Sequence, residues 1–209
     1  LFDRHVDVRS PQEIEQRFFN ESDGRFPFDQ GRFASVPGSP IAYWLSDAVL
    51  SSFEKWPSFS KHGKILVGLQ TGDNERFIRF WHEVPLVETR MGSKEGAWVP
   101  YVKGGEFRKW YGNRDLILDW SHEGSAIIQH PSARPQNREY YFRAGVTYTN
   151  VSSGAFSARY VDGQGIFDQK GSMIFSEENY SEKPFMALLL SKVGTKFLEI
   201  LCPTIDFNP

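Results

Sequence analysis

The sequence predicts an α+β fold, a mixed or antiparallel β-sheet core with flanking helices at both chain ends. Three observations carry that expectation. Proline-initiated segments with apolar residues at helical spacing stand near the start of the chain, and a leucine-rich helical pattern returns at its end. Between them, residues 98 to 175 break into short β-branched and aromatic runs separated by Gly, Asn and Ser. No internal repeat or low-complexity linker interrupts this order. A length of 209 residues can bury a sizeable core and suits one domain, or one with a small lobe, so residues 1–209 are expected to form a single domain.

Element by element, Ser10-Pro11-Gln12-Glu13 is an N-cap, a first-turn proline and an early carboxylate, and Ile14, Phe18 and Phe19 follow at helical spacing. A helix is expected over 11–19. Residues 20–37 are rich in Gly, Asp and Pro, a loop with a short strand near Arg32 to Val36. Ser39-Pro40 is expected to open a second helix with a stripe through Ile41, Trp44, Leu45, Ala48, Val49, Ser52 and Phe53. Residues 65–69 are a strand that runs into the turn set Gln70-Thr71-Gly72-Asp73-Asn74, and 77–81 are a strand or a helical turn. Strands are then expected at 98–103, 108–111, 116–120, 140–148, 156–160 and 165–167. Residues 181–201 are helical, two helices meeting at Gly194, with Leu188, Leu189, Leu190, Val193, Phe197, Leu198 and Ile200 as core.

Composition narrows the function classes. Hydrophobic residues at 40% and charged residues at 24% are ordinary for a globular chain, whereas aromatics reach 15% with 18 Phe and 6 Trp, most of them expected in the core and several on the surface as flat contact platforms. One cysteine, Cys202, rules out an intrachain disulfide and a two-cysteine metal site, so a cytoplasmic location is expected. No run approaches the ~18 apolar residues of a membrane span, and no membrane partner is expected. The chain opens on Leu1-Phe2-Asp3, without a signal-peptide pattern or Met, and is expected to be a piece of a longer protein. A net charge of -2 argues against non-specific coating of nucleic acid but leaves room for a local basic groove.

No zinc-protease, nucleophile-elbow, P-loop or Rossmann motif is present, so no catalytic residue and no metal ligand is assigned, and His82 between Trp81 and Glu83 is read as structural. Three segments instead combine cations, hydroxyls or amides with glycines and aromatics, the inventory that holds phosphates and reads base edges. The first, 68–77, offers Thr71, Gly72, Asn74 and Arg76; its plain alternative is a helix cap at Thr71 or Asp73. The second, 101–113, sets Lys103, Arg108 and Lys109 among Tyr101, Phe107, Trp110 and Tyr111 around Gly104-Gly105; a simple hairpin would explain the glycines but not the cations. The third, 147–159, carries Ser152, Ser153 and Arg159, or is an exposed hairpin tip.

These segments, together with Val36-Pro37-Gly38-Ser39-Pro40-Ile41-Ala42-Tyr43-Trp44 and Leu201-Cys202-Pro203-Thr204-Ile205-Asp206-Phe207, resemble in order and spacing the stretch that follows the catalytic domain in PglX-like adenine methyltransferases of BREX systems and related single-chain restriction-modification enzymes. The resemblance extends over most of the chain. It implies a full protein that binds S-adenosylmethionine, flips an adenine from a short DNA site into a separate catalytic domain and methylates its amino group, marking self DNA. The Asn/Asp-Pro-Pro-Tyr/Phe motif and the glycine-rich cofactor loop are absent here, so the fragment is expected to recognise double-stranded DNA, to be non-catalytic and to hold no cofactor of its own. By the same resemblance Gly72, Asn74, Arg76, Lys103, Gly104, Gly105, Arg108, Lys109, Tyr111, Ser152, Ser153 and Arg159 face the DNA. Lys103, Arg108 and Lys109 would hold phosphates, and Ser152, Ser153 or residues near Arg134 to Arg138 would read sequence. Its partners would be the catalytic domain of the same protein and other defence-system proteins.

Two rival readings follow from the aromatics. A protein-interaction or regulatory module would dock them onto the methyltransferase domain or another defence protein. A carbohydrate-binding domain would use the same rings, against the lack of disulfides.

Overall fold

The computed structural model describes residues 2–3, 10–20, 25–92, 95–150, 155–177 and 181–202. Contacts divide the chain into two units, Leu1–Ser58 and Phe59–Pro209.

In the first unit, β1 (Phe2–Asp3) pairs antiparallel with β2 (Arg25–Phe26), and α1 spans Pro11–Asn20, as the Ser10-Pro11 signal predicts. The strand expected near Arg32 to Val36 is instead a 3-10 helix, Gln30–Ser35. The reason is local: the Asp29 carboxylate accepts a hydrogen bond from the Gly31 amide at 2.9 Å, which starts a helical turn rather than an extended run. The second helix, α2, starts at Asp47 and ends at Lys55 rather than opening at Pro40. Gly38 and Ser39 both adopt left-handed backbone (φ 80° and 47°), so Pro40 leaves a turn and does not begin a helix, and Ile41 stays 64% exposed. Arg32 pairs with Asp47 at 2.6 Å, and Phe28 stacks on Phe33.

The second unit holds β3 (Gly63–Leu66), β4 (Leu69–Gln70), α3 (Asn74–Phe77), β5 (Ile78–Phe80), β6 (Trp98–Val102), β7 (Leu116–Asp119), α4 (Ser121–Ile128), β8 (Arg134–Pro135), β9 (Ala144–Tyr148), β10 (Ala158–Asp162), β11 (Ile166–Phe167), β12 (Met173–Ser176), α5 (Lys183–Leu190) and α6 (Lys192–Leu201). One four-stranded sheet has the order β10-β9-β12-β3, all antiparallel; a second has the order β11-β6-β7-β5, with β11 parallel to β6 and the rest antiparallel; β4 and β8 form a short ladder. The α+β architecture and the helices near both ends follow the expectation.

Period-two alternation sorts the strands between two cores. On β12, Met173 and Phe175 join Leu69, Phe77, Tyr101, Leu118, Ile127 and Phe167 in one cluster, while Ile174 joins Val146, Tyr148, Ala158, Met186 and Leu190 in the other, under α5. Full burial of each such side chain contributes roughly 1.5–3 kcal/mol. Within the first core the Tyr101 hydroxyl donates to the Asp168 carboxylate at 2.6 Å and lies 2.7 Å from the Leu69 carbonyl, and its ionisation is pushed well up, first by burial and then by the Asp168 charge.

Three further expectations are corrected. Residues 108–111 are not a strand, because Trp110, Gly112 and Asn113 all have positive φ (74°, 127° and 54°). A helical segment, α4, occupies 121–128, opened by three left-handed residues, His122, Glu123 and Gly124, that no periodicity announces. The two C-terminal helices meet at Ser191 rather than Gly194, and Leu188 and Val193 are exposed rather than core.

Candidate nucleic-acid interface

The antiparallel pair β6–β7 registers Trp98 with Asp119 and Pro100 with Ile117, which leaves residues 103–115 as one long connecting loop. That loop folds across to the other sheet. The Trp110 amide donates to the Ala158 carbonyl at 2.9 Å and the Tyr160 amide to the Trp110 carbonyl at 2.9 Å, so the loop covers the free edge of β10. The Asn113 side-chain amide donates to the carbonyls of Gly104 and Glu106, both at 2.9 Å, closing the turn at Gly105, whose φ of 92° suits glycine.

Arg159 lies beneath this loop. It follows Ala158 on β10 and so takes the opposite face of the sheet, and its side chain is 0% exposed. Its guanidinium donates to the Arg108 carbonyl (3.3 Å), the Gly104 carbonyl (3.5 Å), the Ser157 hydroxyl (3.3 Å) and the Thr149 hydroxyl (3.2 Å), while Nε has no partner. Burial first, and then the neighbouring Arg108 charge, pull its pKa down to about 10, so the cation persists at neutral pH. The expectation that Arg159 faces DNA directly is thus corrected: it is a strut under the loop. Among the described residues no carboxylate pairs with Arg159, Lys103, Arg108 or Lys109. Arg114, by contrast, is neutralised by two bonds to Asp162 at 3.0 and 3.1 Å.

On the loop's outer side Arg108, Lys109, Gly105 and Tyr111 are exposed, Lys103 is half-buried and Gly104 is buried. Lys109 stands over the Phe107 ring and Arg114 over Tyr111. The second and third sequence segments therefore come together, through Thr149 Oγ1 donating to the Gly105 carbonyl and through Arg159. Ser152 and Ser153 lie outside the described residues.

The first segment faces a different neighbour. Thr71 is buried and donates to the Asn74 side chain at 2.7 Å, and Asp73 caps α3 by accepting from the Arg76 amide, so the cap reading describes this turn. Gly72 (φ 78°) packs so closely on residues 130–133 that a Cβ would lie 2.6 Å from His130 Nδ1. Asn74, Arg76, Arg134 and Arg138 are exposed, and β4 registers Gln70 with Arg134. The sequence segments include Trp110, Asn113 and Thr149 without giving them a role; in the structure their backbone or side-chain bonds fasten the loop, and the Gly112-Asn113 dipeptide was the available signal for the turn. His82 is exposed and stacked on Phe80. No group of three or more metal-ligating side chains occurs among the described residues, and no helix among them is long and apolar enough to cross a membrane.

Comparison with known proteins decides the wider setting. The chain is 34% identical, over 99% of its length, to an adenine-specific methyltransferase PglX of Lacticaseibacillus casei (strain Zhang), and 37% identical, over 86% of its length, to the adenine-specific methyltransferase BrxX of Escherichia coli O9:H4 (strain HS). Most of the chain thus aligns with one segment of each of these two methyltransferases. It spans only 19% and 15% of those relatives. No family model matches it. The segment resembling PglX-like proteins thus includes the whole β6–β7 loop and its β10 support.

Proposed function

We propose that this segment is the DNA-recognition part of an adenine-specific, S-adenosylmethionine-dependent DNA methyltransferase of phage defence or restriction-modification, and that it carries no chemistry itself. The observation that supports the reading is the set of Lys103, Arg108 and Lys109, cations without a carboxylate partner among the described residues, on a loop fastened to a sheet edge and braced from beneath by Arg159. An uncompensated cationic surface in a chain of net charge -2 suits a polyanion held at one place rather than coated. Lys103, Arg108 and Lys109 hold phosphates and set register, and Arg134, Arg138 and the Ser152-Ser153 pair read base edges. Cofactor and reacting adenine belong to the remainder of the protein, which also supplies the catalytic partner.

The test is fluorescence anisotropy of a mixed-sequence duplex at several salt concentrations, with wild type beside a Lys103/Arg108/Lys109 triple alanine. Removing one cation from a phosphate lowers the slope of log K against log salt by about 0.9, so the variant should show a slope shallower by two to three such steps. An unchanged slope would overturn the assignment.

A second reading has its own observation. Phe80, Trp81, Leu86, Val87 and Met91 are all 45% exposed or more and close in sequence, as a face that docks on the catalytic domain or another defence protein would be. It is favoured if DNA binding shows no salt dependence.

A further inference from the structure

We propose that Trp110 is a stacking platform for a nucleobase displaced from the duplex, an inference that rests on the DNA-recognition reading. Phe107, Trp110 and Tyr111 are 54%, 53% and 64% exposed, an outward-facing group of large rings on one loop. The outer two already carry cations from the same loop, Lys109 over Phe107 and Arg114 over Tyr111. Trp110 has neither ring nor cation against it among the described residues, so its indole face is open.

The backbone beneath that indole is held in an unfavourable state. A bulky residue at φ 74° is an outlier, and such strain persists only where the surroundings over-determine it. Here the fixing is explicit: the amide and carbonyl of Trp110 are both bonded to β10, and Arg159 braces the carbonyls of Gly104 and Arg108 on the same loop. A side chain exposed by a floppy loop would need neither clamp. The result is a large flat ring presented to solvent from a fixed base, flanked by Arg108 and Lys109, which no carboxylate pairs among the described residues. Those cations suit the phosphates on either side of one nucleotide, and the open indole suits the π-face of its base. A protein partner offering an apolar side chain would gain from the ring but not from the cations.

Anisotropy with three labelled duplexes of one sequence tests this: fully paired, carrying one extrahelical thymine, and carrying an extrahelical abasic residue at the same place. Wild type should bind the thymine bulge about fivefold or more tighter than the abasic bulge, the range expected for one base-aromatic stack. Trp110→Phe should keep most of that ratio. Trp110→Leu, which keeps bulk without a π-face, should reduce it to one while leaving affinity for the paired duplex within about twofold. Equal binding of the two bulges by wild type, or a ratio that survives Trp110→Leu, overturns the stacking role and leaves the phosphate-binding loop intact. Loss of paired-duplex binding in Trp110→Leu also overturns it, since Trp110 would then act through the loop's fold. If wild type binds none of the three, the DNA-recognition reading falls and the stacking role falls with it.

Discussion

Arg159 shows how one residue can serve a surface it never reaches. A guanidinium with no counter-charge among the described residues, shut away from water, costs stability, and its bonds to loop carbonyls and two hydroxyls offset that cost. Arg159→Met removes the charge at similar volume, so the desolvation cost and the missing bonds should nearly cancel, and Tm should move by only a few degrees. The loop, however, loses the strut under Gly104 and Arg108, and duplex affinity should fall severalfold. Arg159→Lys keeps the charge but cannot bridge both carbonyls, so it should lower both stability and affinity. Thermal melts beside anisotropy separate the cases; unchanged DNA affinity in the Met variant would show that the loop does not need this support. The sequence marks Arg159 as a site residue yet cannot show that it lies underneath, because a cation in a strand of alternating pattern reads as solvent-facing. Its burial depends on a loop arriving from the other sheet, bringing together residues about fifty positions apart.

At the scale of elements, local chemistry was legible wherever it acted alone. The Ser10-Pro11 start and the Asp73 cap were readable because each acts between near neighbours, the Ile14 amide donating to the Ser10 carbonyl and the Arg76 amide to the Asp73 carboxylate. Pro40 misled because the turn before it is left-handed, and the strand expected at 108–111 gave way to a loop whose form is set by β10. The helix junction makes the same point quantitatively. Ser191 ends α5 and caps α6, its hydroxyl accepting from the Gly194 amide at 3.0 Å and lying 2.6 Å from the Leu188 carbonyl. Ser191→Ala should cost about 1 kcal/mol. Gly194→Ala would gain about 0.5–1 kcal/mol in an isolated helix. Here, though, a Cβ would lie 2.0 Å from the Leu188 carbonyl oxygen, a backbone atom that moves only if α5 and α6 separate. The net effect should be a loss of about 1–3 kcal/mol, as for an overpacked core. Urea unfolding of both variants checks the order, and a stabilised Gly194→Ala would mean that the junction is looser than its geometry.

Over the whole molecule, charge and packing are divided between the two units in a way that the net figure hides. Residues 1–58 hold nine Asp and Glu against six Lys and Arg, whereas residues 59–209 hold 17 against 18, so the second unit is slightly basic where the whole chain is acidic. Both apolar clusters draw all their members from residues 59–209, and the β6–β7 loop, Arg159, Arg76, Arg134 and Arg138 lie there too. A chain beginning at Phe59 should therefore melt as one cooperative unit. Its affinity for duplex DNA at low salt should equal that of the 209-residue chain or exceed it severalfold, since removing an acidic unit lowers long-range repulsion of phosphate. The salt slope should stay the same, because the phosphate-holding cations themselves are retained. Circular dichroism melts and anisotropy on the two chains decide this. A shorter chain that folds but loses binding would move part of the DNA surface into residues 1–58. One that does not fold would show that the clusters need cover from the first unit.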